Sequence, residues 1–537
     1  MPAAHDHGRP TAESSEIQGA FGTIREHDVG ARVGARARLL TLLAILGPGL
    51  IVTVGDNDAG GLTTYAQAGQ GYGLTLLWTL LLCIPVLIVN QEMVARLGAV
   101  TGVGHAKLIT ERFGRLWGTV AVTCILITNF LIIVTEFIGV SLSLTYFGVS
   151  DYISVPLAAL GLFAIIATGS YRRWERIMFV FVVVSLLAIP LLVMSHPTAH
   201  AVLHGLFVPS AQGGFKPLAV LLVISIVGTT VAPWQLYFQQ SNIVDKKITT
   251  RWLNYERADT IIGTAVVIIT AIMIVSAVAA GLAGTSASGP ANVSNALAIA
   301  QDLKRYVGNA SGTIFAILLL NASIIGAATV TLASSYAIGD VSGLRQSLSA
   351  RVRDAKGFYS LIAVLIGVAA GSVLVSDAHA QGIVTLAVQA LCGILLPATT
   401  VFALLLCNDR EVLGPWANGK WLNLLALAIV LALFALSATL MATTVLPSTP
   451  VLPMLEVLGV IAIVVYAIAA PLMFRRASAE PVHPATADKF DWRTPRLTLM
   501  TLAPKPLGRR VLFGFIGLYL AVSSTLLVVR VIRLIVG

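Results

Sequence analysis

Gly55-Asp56-Asn57-Asp58-Ala59-Gly60-Gly61 interrupts an otherwise membrane-spanning helix, and its reading decides the fold. Leu39 to Val54 is apolar apart from Thr41 and Thr53, and helical periodicity resumes from Leu62 to Ala68. A carboxylate left unpaired at hydrocarbon depth costs several kcal/mol, so two of them demand a reason. Gly55, Gly60 and Gly61 loosen the helix where the acids sit. An unwound mid-membrane helix presents carbonyl oxygens beside its side chains, a common way to build a cation site in a transporter.

Composition agrees with a membrane setting. Of 537 residues, 57% are hydrophobic and 11% charged, with mean hydropathy +0.87; a soluble protein carries about 25% charged residues. Apolar stretches of about 20 residues recur along the chain. The pattern predicts helices near 40–69 (broken), 74–95, 118–146, 152–169, 176–195, 217–244 (broken), 260–284, 312–338, 357–375, 382–407, 421–445, 451–474 and 511–535. The expected fold is therefore an all-α polytopic membrane protein.

The net charge of +10 lies in alternate connections rather than in one basic face, which argues against a nucleic-acid partner. Arg32, Arg36 and Arg38 precede helix 1; Lys107, Arg112 and Arg115 follow helix 2; Arg172, Arg173 and Arg176 separate helices 4 and 5. Lys246, Lys247, Arg251 and Arg257 follow helix 6, and Arg345, Arg351, Arg353 and Lys356 follow helix 8. By the positive-inside rule these loops and the N-terminus are cytoplasmic in a cell membrane. The first 38 residues lack the apolar core of a signal peptide. The expected organisation is a mobile tail over 1–38, a transport core over 39–410, additional helices over 411–474, a basic cytoplasmic loop over 475–510 and a terminal span over 511–537. Cys83, Cys124, Cys392 and Cys407 fall inside predicted helices with no metal-ligand spacing, and read as packing residues.

Helix 6 carries a second interruption, Gly228-Thr229-Thr230-Val231-Ala232-Pro233-Trp234-Gln235. Pro233 removes a donor and frees carbonyls near Thr229 to Ala232. Breaks in the first helix of two successive groups of five, in opposite orientations, point to an inverted repeat around a central site. About three further helices follow the 5+5 core. Isolated kinks from Gly and Pro are the alternative.

These motifs resemble the NRAMP family of divalent-metal transporters. Asp58-Ala59-Gly60-Gly61 stands where that family has Asp-Pro-Gly-Asn, and Ala232-Pro233-Trp234-Gln235 where it has Met-Pro-His-Asn. Thr135-Glu136-Phe137-Ile138-Gly139 is similar to its third-helix acidic motif, and Gln389 fits its helix-10 glutamine. The resemblance covers about residues 40–410 and implies a leucine-transporter-type fold and divalent-cation transport. Ala232 replaces the soft methionine, Trp234 the histidine of the proton route, Ile133 a third-helix aspartate and Gly61 an asparagine. Those departures resemble the magnesium-associated branch.

The donor inventory points the same way. Asp58, Asp56, Asn57, Gln389 and freed carbonyls, including that of Ala232, offer only oxygen, which suits Mg²⁺ and Mn²⁺. Small residues at Ala232, Gly60 and Gly61 are expected to leave room for waters that Mg²⁺ retains. Asp58 is the first expected ligand, with Asp56 or Asn57 second; the competing role for Asp58 is a helix cap. Gln389 is a ligand or a packing residue, and Glu136 a gate or structural hydrogen-bonder. Thr229, Pro233, Trp234 and Gln235 shape the helix-6 break. With no histidine inside a predicted span, and Glu136 lacking an evident titratable neighbour, obligatory proton drive is not expected.

Weaker features have plain readings. His196, His200 and His204 read as a solvated external loop rather than a metal site, Glu92 and Arg96 as an interfacial pair, and Trp174 as an interfacial anchor. Asn129 and Asn321 read as interhelical hydrogen-bonders. The metal is cargo and no cofactor is expected. The competing functions are a cation-coupled carrier of amino acids or other organic solutes, for whose carboxylate Asp56 and Asp58 are repulsive, and a non-transporting sensor, which lacks an output domain here. Nothing in the sequence resembles an enzyme's catalytic constellation.

Overall fold

The computed structural model describes residues 16–25, 28, 30–343, 347–376, 378–445, 450–479, 492, 494–495, 500, 502–503 and 507–536. Most of the basic loop expected over 475–510, and residues 1–15 of the N-terminal tail, lie outside the described residues. All thirteen predicted helices are present. The first is α1 (Ala35–Ile45), α2 (Pro48–Val54) and α3 (Ala59–Tyr72); then come α4 (Trp78–Thr101), α5 (His105–Phe113), α6 (Arg115–Tyr146) and α7 (Asp151–Ile166). The fifth is α8 (Tyr171–Val184) with α9 (Ala188–Ser195), followed by α10 (Ala199–Phe207). The sixth is α11 (Pro217–Thr230) with α12 (Pro233–Asp245); α13 (Leu253–Leu282), α14 (Ala296–Tyr306) and α15 (Asn309–Ser342) follow. The remainder are α16 (Lys356–Leu374), α17 (Ala378–Cys407), α18 (Arg410–Leu413), α19 (Lys420–Val445), α20 (Val451–Ala479) and α21 (Leu507–Val536).

By length and composition, 10 of the described helices suffice to cross a membrane, or 11 if the bent α1–α2 pair is one span. That 54° bend is a break the sequence reading did not separate from the one at Gly55–Asp58. It falls at Gly47, whose φ of +151° is a backbone setting that glycine tolerates and side chains resist.

The inverted relation is visible in the packing. α3 lies against α11 and α2 against α12, so opposite halves of the two broken helices pair, as antiparallel crossing at their breaks requires. The third and eighth helices, α6 and α15, form the most extensive helix contact. α17 closes the site from the other side against α11, and α21 seats on α17, where Tyr519 donates to the Ile394 carbonyl at 2.5 Å.

Some expectations are corrected. Residues 16–25, assigned to a mobile tail, form an antiparallel hairpin of β1 (Glu16–Gly19) and β2 (Gly22–Arg25), because Ile17 and Ile24 find apolar cover. The hairpin packs on α1 and α8. Trp174 is fully buried against Phe238 rather than anchored at an interface. His200 and His204 lie on the exposed short helix α10, not in a loop, with His196 capping α9. Glu92 and Arg96 do pair, at 3.0 Å, and Arg257 joins them at 2.7 Å. Asn129 and Asn321 donate across helices to Ser334 and Ser185, at 3.0 and 3.1 Å.

Candidate metal centre

The helix-1 break is made by hydrogen-bond competition. The amides of Asp56 and Asn57 fold back in short turns on Thr53 and Val54, and Asp58 then adopts an extended backbone. Its side-chain Oδ1 accepts from Gly61 N–H at 2.6 Å and caps α3. The capping role is real. In helix 6, α11 stops at Thr230, Ala232 is extended and Pro233 opens α12 at a position where its missing N–H costs nothing. The carbonyls at the end of α11 are left without intrahelical partners.

Two glycines set how closely the elements approach. A side chain starting at Gly61 would come within 2.7 Å of Thr229 Oγ1, 2.8 Å of the Asp56 carbonyl oxygen and 3.3 Å of Asp58 Oδ1. Three oxygens from both breaks thus crowd against Gly61, where only a glycine lets them approach so closely. At Gly60 the corresponding position lies 1.7 Å from Gln389 Nε2, so the α17 glutamine occupies the groove. The room expected there for retained water is filled by protein.

Asp56, Asn57, Asp58, Glu136, Thr229, Ala232, Trp234, Gln235 and Gln389 are all between 0% and 5% exposed, an occluded arrangement. Among the described residues, both Asp56 carboxylate oxygens, Glu136 Oε1, Thr229 Oγ1 and Gln389 Nε2 lack a well-formed hydrogen bond, although Gln235 and the Ala232 amide lie close to Asp56, and Thr229 and Glu136 close to Asp58. None of these acids belongs to an ion pair among the described residues. Buried polar groups are seldom left in that state unless something else completes them. Nor do three His, Cys, Asp or Glu side chains converge as a metal group among the described residues, so further donors must be neutral oxygens.

Asn57 is turned away, its amide donating to the Val267 carbonyl at 3.3 Å, with Oδ1 unpartnered. Gln235 accepts from the Gln91 amide and lies beside Asp56. The Ala232 carbonyl accepts from Gln235 N–H at 3.2 Å, and Trp234 packs edge-on against Phe238. Glu136 Oε2 accepts from Ala59 N–H at 3.1 Å. It also meets Asp58 over Gly326, where an added Cβ would lie 2.6 Å from Glu136 Oε2 and 2.7 Å from Asp58 Cβ. The expectation that Glu136 lacks a titratable neighbour is therefore wrong: helical spacing on α6 does not reveal an acid arriving from helix 1.

Sequence reasoning missed a second charged cluster at the far ends of α2 and α12: Glu175, Lys246, Glu256 and Asp259, all buried. Its signal was an acid in the first turn or two of two apolar helices, next to loops noted only for their bases.

The family described as "Natural resistance-associated macrophage protein-like" (Nramp) matches residues 49–443, through the break, the helix-10 glutamine and α19. A protein named "Divalent metal cation transporter MntH" from Staphylococcus aureus is 31% identical over 227 residues, 41% of this chain and 49% of the relative. Its namesake from Chromohalobacter salexigens is 29% identical over 251 residues, 44% of this chain and 56% of the relative. The chain spans about half the length of these curated relatives. The solved manganese transporter of Eremococcus coleocola, bound to an aromatic bis-isothiourea compound, superposes with a TM-score of 0.60 at 20% identity. That superposition covers 83% of this chain and 98% of the other, and supports the fold. With the family matched over most of its length, this multi-pass membrane chain belongs to the Nramp family.

Proposed function

We propose that the chain carries divalent cations, Mg²⁺ or Mn²⁺, across a cell membrane by alternating access through the Asp56–Asp58 centre, with its N-terminus in the cytoplasm. The observation that carries this reading is the convergence at Gly61 of oxygens from Thr229, Asp56 and Asp58, beside a buried Asp56 carboxylate that lacks a well-formed hydrogen bond among the described residues. The donors in the two breaks are oxygens, which favour hard cations, and with Ala232 and Trp234 in the helix-6 break no sulfur or imidazole stands in either break; the nearby thiol is Cys392 on α17. The names of the relatives, divalent metal cation and manganese transporters, support the cargo class. Organic-solute carriage is disfavoured by the same two acids, which repel a substrate carboxylate. The cytoplasmic N-terminus rests on the positive-inside distribution.

The test is flux into proteoliposomes offered Mg²⁺, Mn²⁺, Ca²⁺ or Cd²⁺. Mg²⁺ or Mn²⁺ uptake is expected to exceed Cd²⁺ uptake, and Ala232→Met to raise the Cd²⁺/Mg²⁺ ratio severalfold by adding a thioether. Absence of divalent flux in well-folded protein refutes the reading. Because Glu136 meets Asp58, the same vesicles loaded with a pH dye report whether protons accompany the metal.

A further inference from the structure

α2 is a seven-residue lever. It ends at the metal centre through Gly55-Asp56, and its other end is the bend at Gly47. α12 has the same layout in reverse: it starts at Ala232 in the centre and ends at Lys246. The far ends of both levers meet in one buried cluster. Lys246 Nζ donates to Glu175 Oε1 at 2.6 Å and to the carbonyls of Ile45 and Leu46 at 2.7 and 3.1 Å. Asp259, from α13, accepts from Gly47 and Gly49 N–H at 3.0 and 2.8 Å on Oδ2, and from Leu50 N–H at 3.1 Å on Oδ1. It caps α2 from another helix, satisfying donors that a helix start leaves free. Lys246 and Glu175 side chains are both 0% exposed.

Gly47 lies directly on this pair. A side chain there would come within 1.9 Å of Glu175 Oε1 and 3.1 Å of Lys246 Nζ. The bend and the ion pair therefore depend on each other.

The hairpin covers the cluster from outside. The tip residue Ala20 donates its N–H to Glu175 Oε2 and accepts from Arg176 Nε at 2.9 Å. Phe21 stacks edge-on against Phe179 with centroids 4.7 Å apart, and Gly19 and Gly22 sit against Ala44 of α1. The hairpin thus bridges α1, just before the bend, to α8.

We propose that the Lys246–Glu175 pair is the latch of a gate on the hairpin face of the bundle, and that β1–β2 is the strap holding it shut. Resting on the transport reading above, this assigns gating roles to Lys246, Glu175, Asp259 and the hairpin. Opening on this face parts Lys246 from Glu175 and from the Ile45 and Leu46 carbonyls, which frees α2 to swing about Gly47. One ammonium touches the far ends of both levers whose near ends hold the cation site, so occupancy at one end biases the other.

Cys392 supplies the reporter. It is fully buried on α17, one turn from Gln389 and within electrostatic reach of Asp58 and Asp56. With Cys83, Cys124 and Cys407 replaced by Ala, a charged methanethiosulfonate reagent is applied to sealed vesicles of each orientation, without metal. Lys246→Met is expected to speed Cys392 modification from the hairpin face at least tenfold and not from the opposite face. Ala20→Pro and Phe21→Ala, which change only the strap, are expected to give a two- to fivefold increase. They decide the matter if Lys246→Met does not reach the membrane. Unchanged rates in these variants, or acceleration from the opposite face, overturn the latch. Failure of the transport reading shows separately, as missing divalent flux in the unaltered protein whatever Cys392 reports.

Discussion

Two clusters of buried acids in the molecule are treated differently. At the metal centre, Asp56 and Glu136 keep carboxylate oxygens without partners among the described residues, and no described base pairs with them. At the hairpin face, Glu175 has Lys246 and the Ala20 amide, and Asp259 has three backbone amides at a helix start, while Glu256 beside them keeps Oε2 without a well-formed hydrogen bond among the described residues. A buried charge completed by its own protein is held until the elements that complete it move apart. One left incomplete calls for an exchangeable cation, and the two clusters sit at opposite ends of the same two half-helices.

The largest expected contrast comes from removing one charge in each cluster. Asp58→Asn retains an oxygen that can cap α3, so thermal stability should hold while divalent flux falls at least a hundredfold. Asp259→Asn weakens charge-assisted bonds to α2 and should lower stability by about 1–3 kcal/mol. Flux into proteoliposomes and thermal midpoints in lipid nanodiscs measure the two, and equal stability losses would erase the distinction between the clusters.

A smaller contrast separates site geometry from packing. Gly60→Ala meets the Gln389 side chain from Nε2 back to Cγ, which can turn aside where backbone cannot, so flux should drop about tenfold with a smaller loss of folding than a backbone clash causes. Gly228→Ala meets the Gln389 carbonyl at 2.2 Å and Gly393 N at 2.3 Å, backbone that cannot step aside, and should cost folded yield first. If Gly60→Ala transports normally, Gln389 is a packing residue.

A last contrast, seen only as the medium is acidified, calibrates burial itself. His105, on α5 between spans, is buried against Gln240 and Tyr237, and burial pushes its imidazole down to about 4 against the opposing Gln240 hydrogen bond. Its folded value lies below its unfolded one, so the unfolded chain binds the extra proton. Stability present above pH 6.5 is then lost as pH falls towards 4, by up to about 3 kcal/mol. Comparing thermal midpoints at pH 7 and 5, His105→Gln should remove that part of the acid sensitivity.

Chain composition and spacing determined more of this protein than the low identity to solved relatives suggests. Hydrocarbon demands long apolar helices with satisfied backbones, so thirteen helices are legible as runs, and Gly-rich acid or Pro-containing segments inside them are legible as breaks. Asp58, Glu136 and Gln389 stand out for the same reason: polar groups are expensive there. Spacing along one helix says nothing about which other helix arrives opposite it. Only the tertiary structure brought Glu136 to Asp58, filled the Gly60 groove with Gln389 and put Thr229 at Gly61. It alone made Lys246, read as one more loop base, the buried partner of Glu175, because the chain between them, a separation of 71 positions, folds back before that pair can meet. The hairpin escaped for a related reason: Ile17 and Ile24 are too few to signal a strand pair until α1 and α8 supply the surface that covers them.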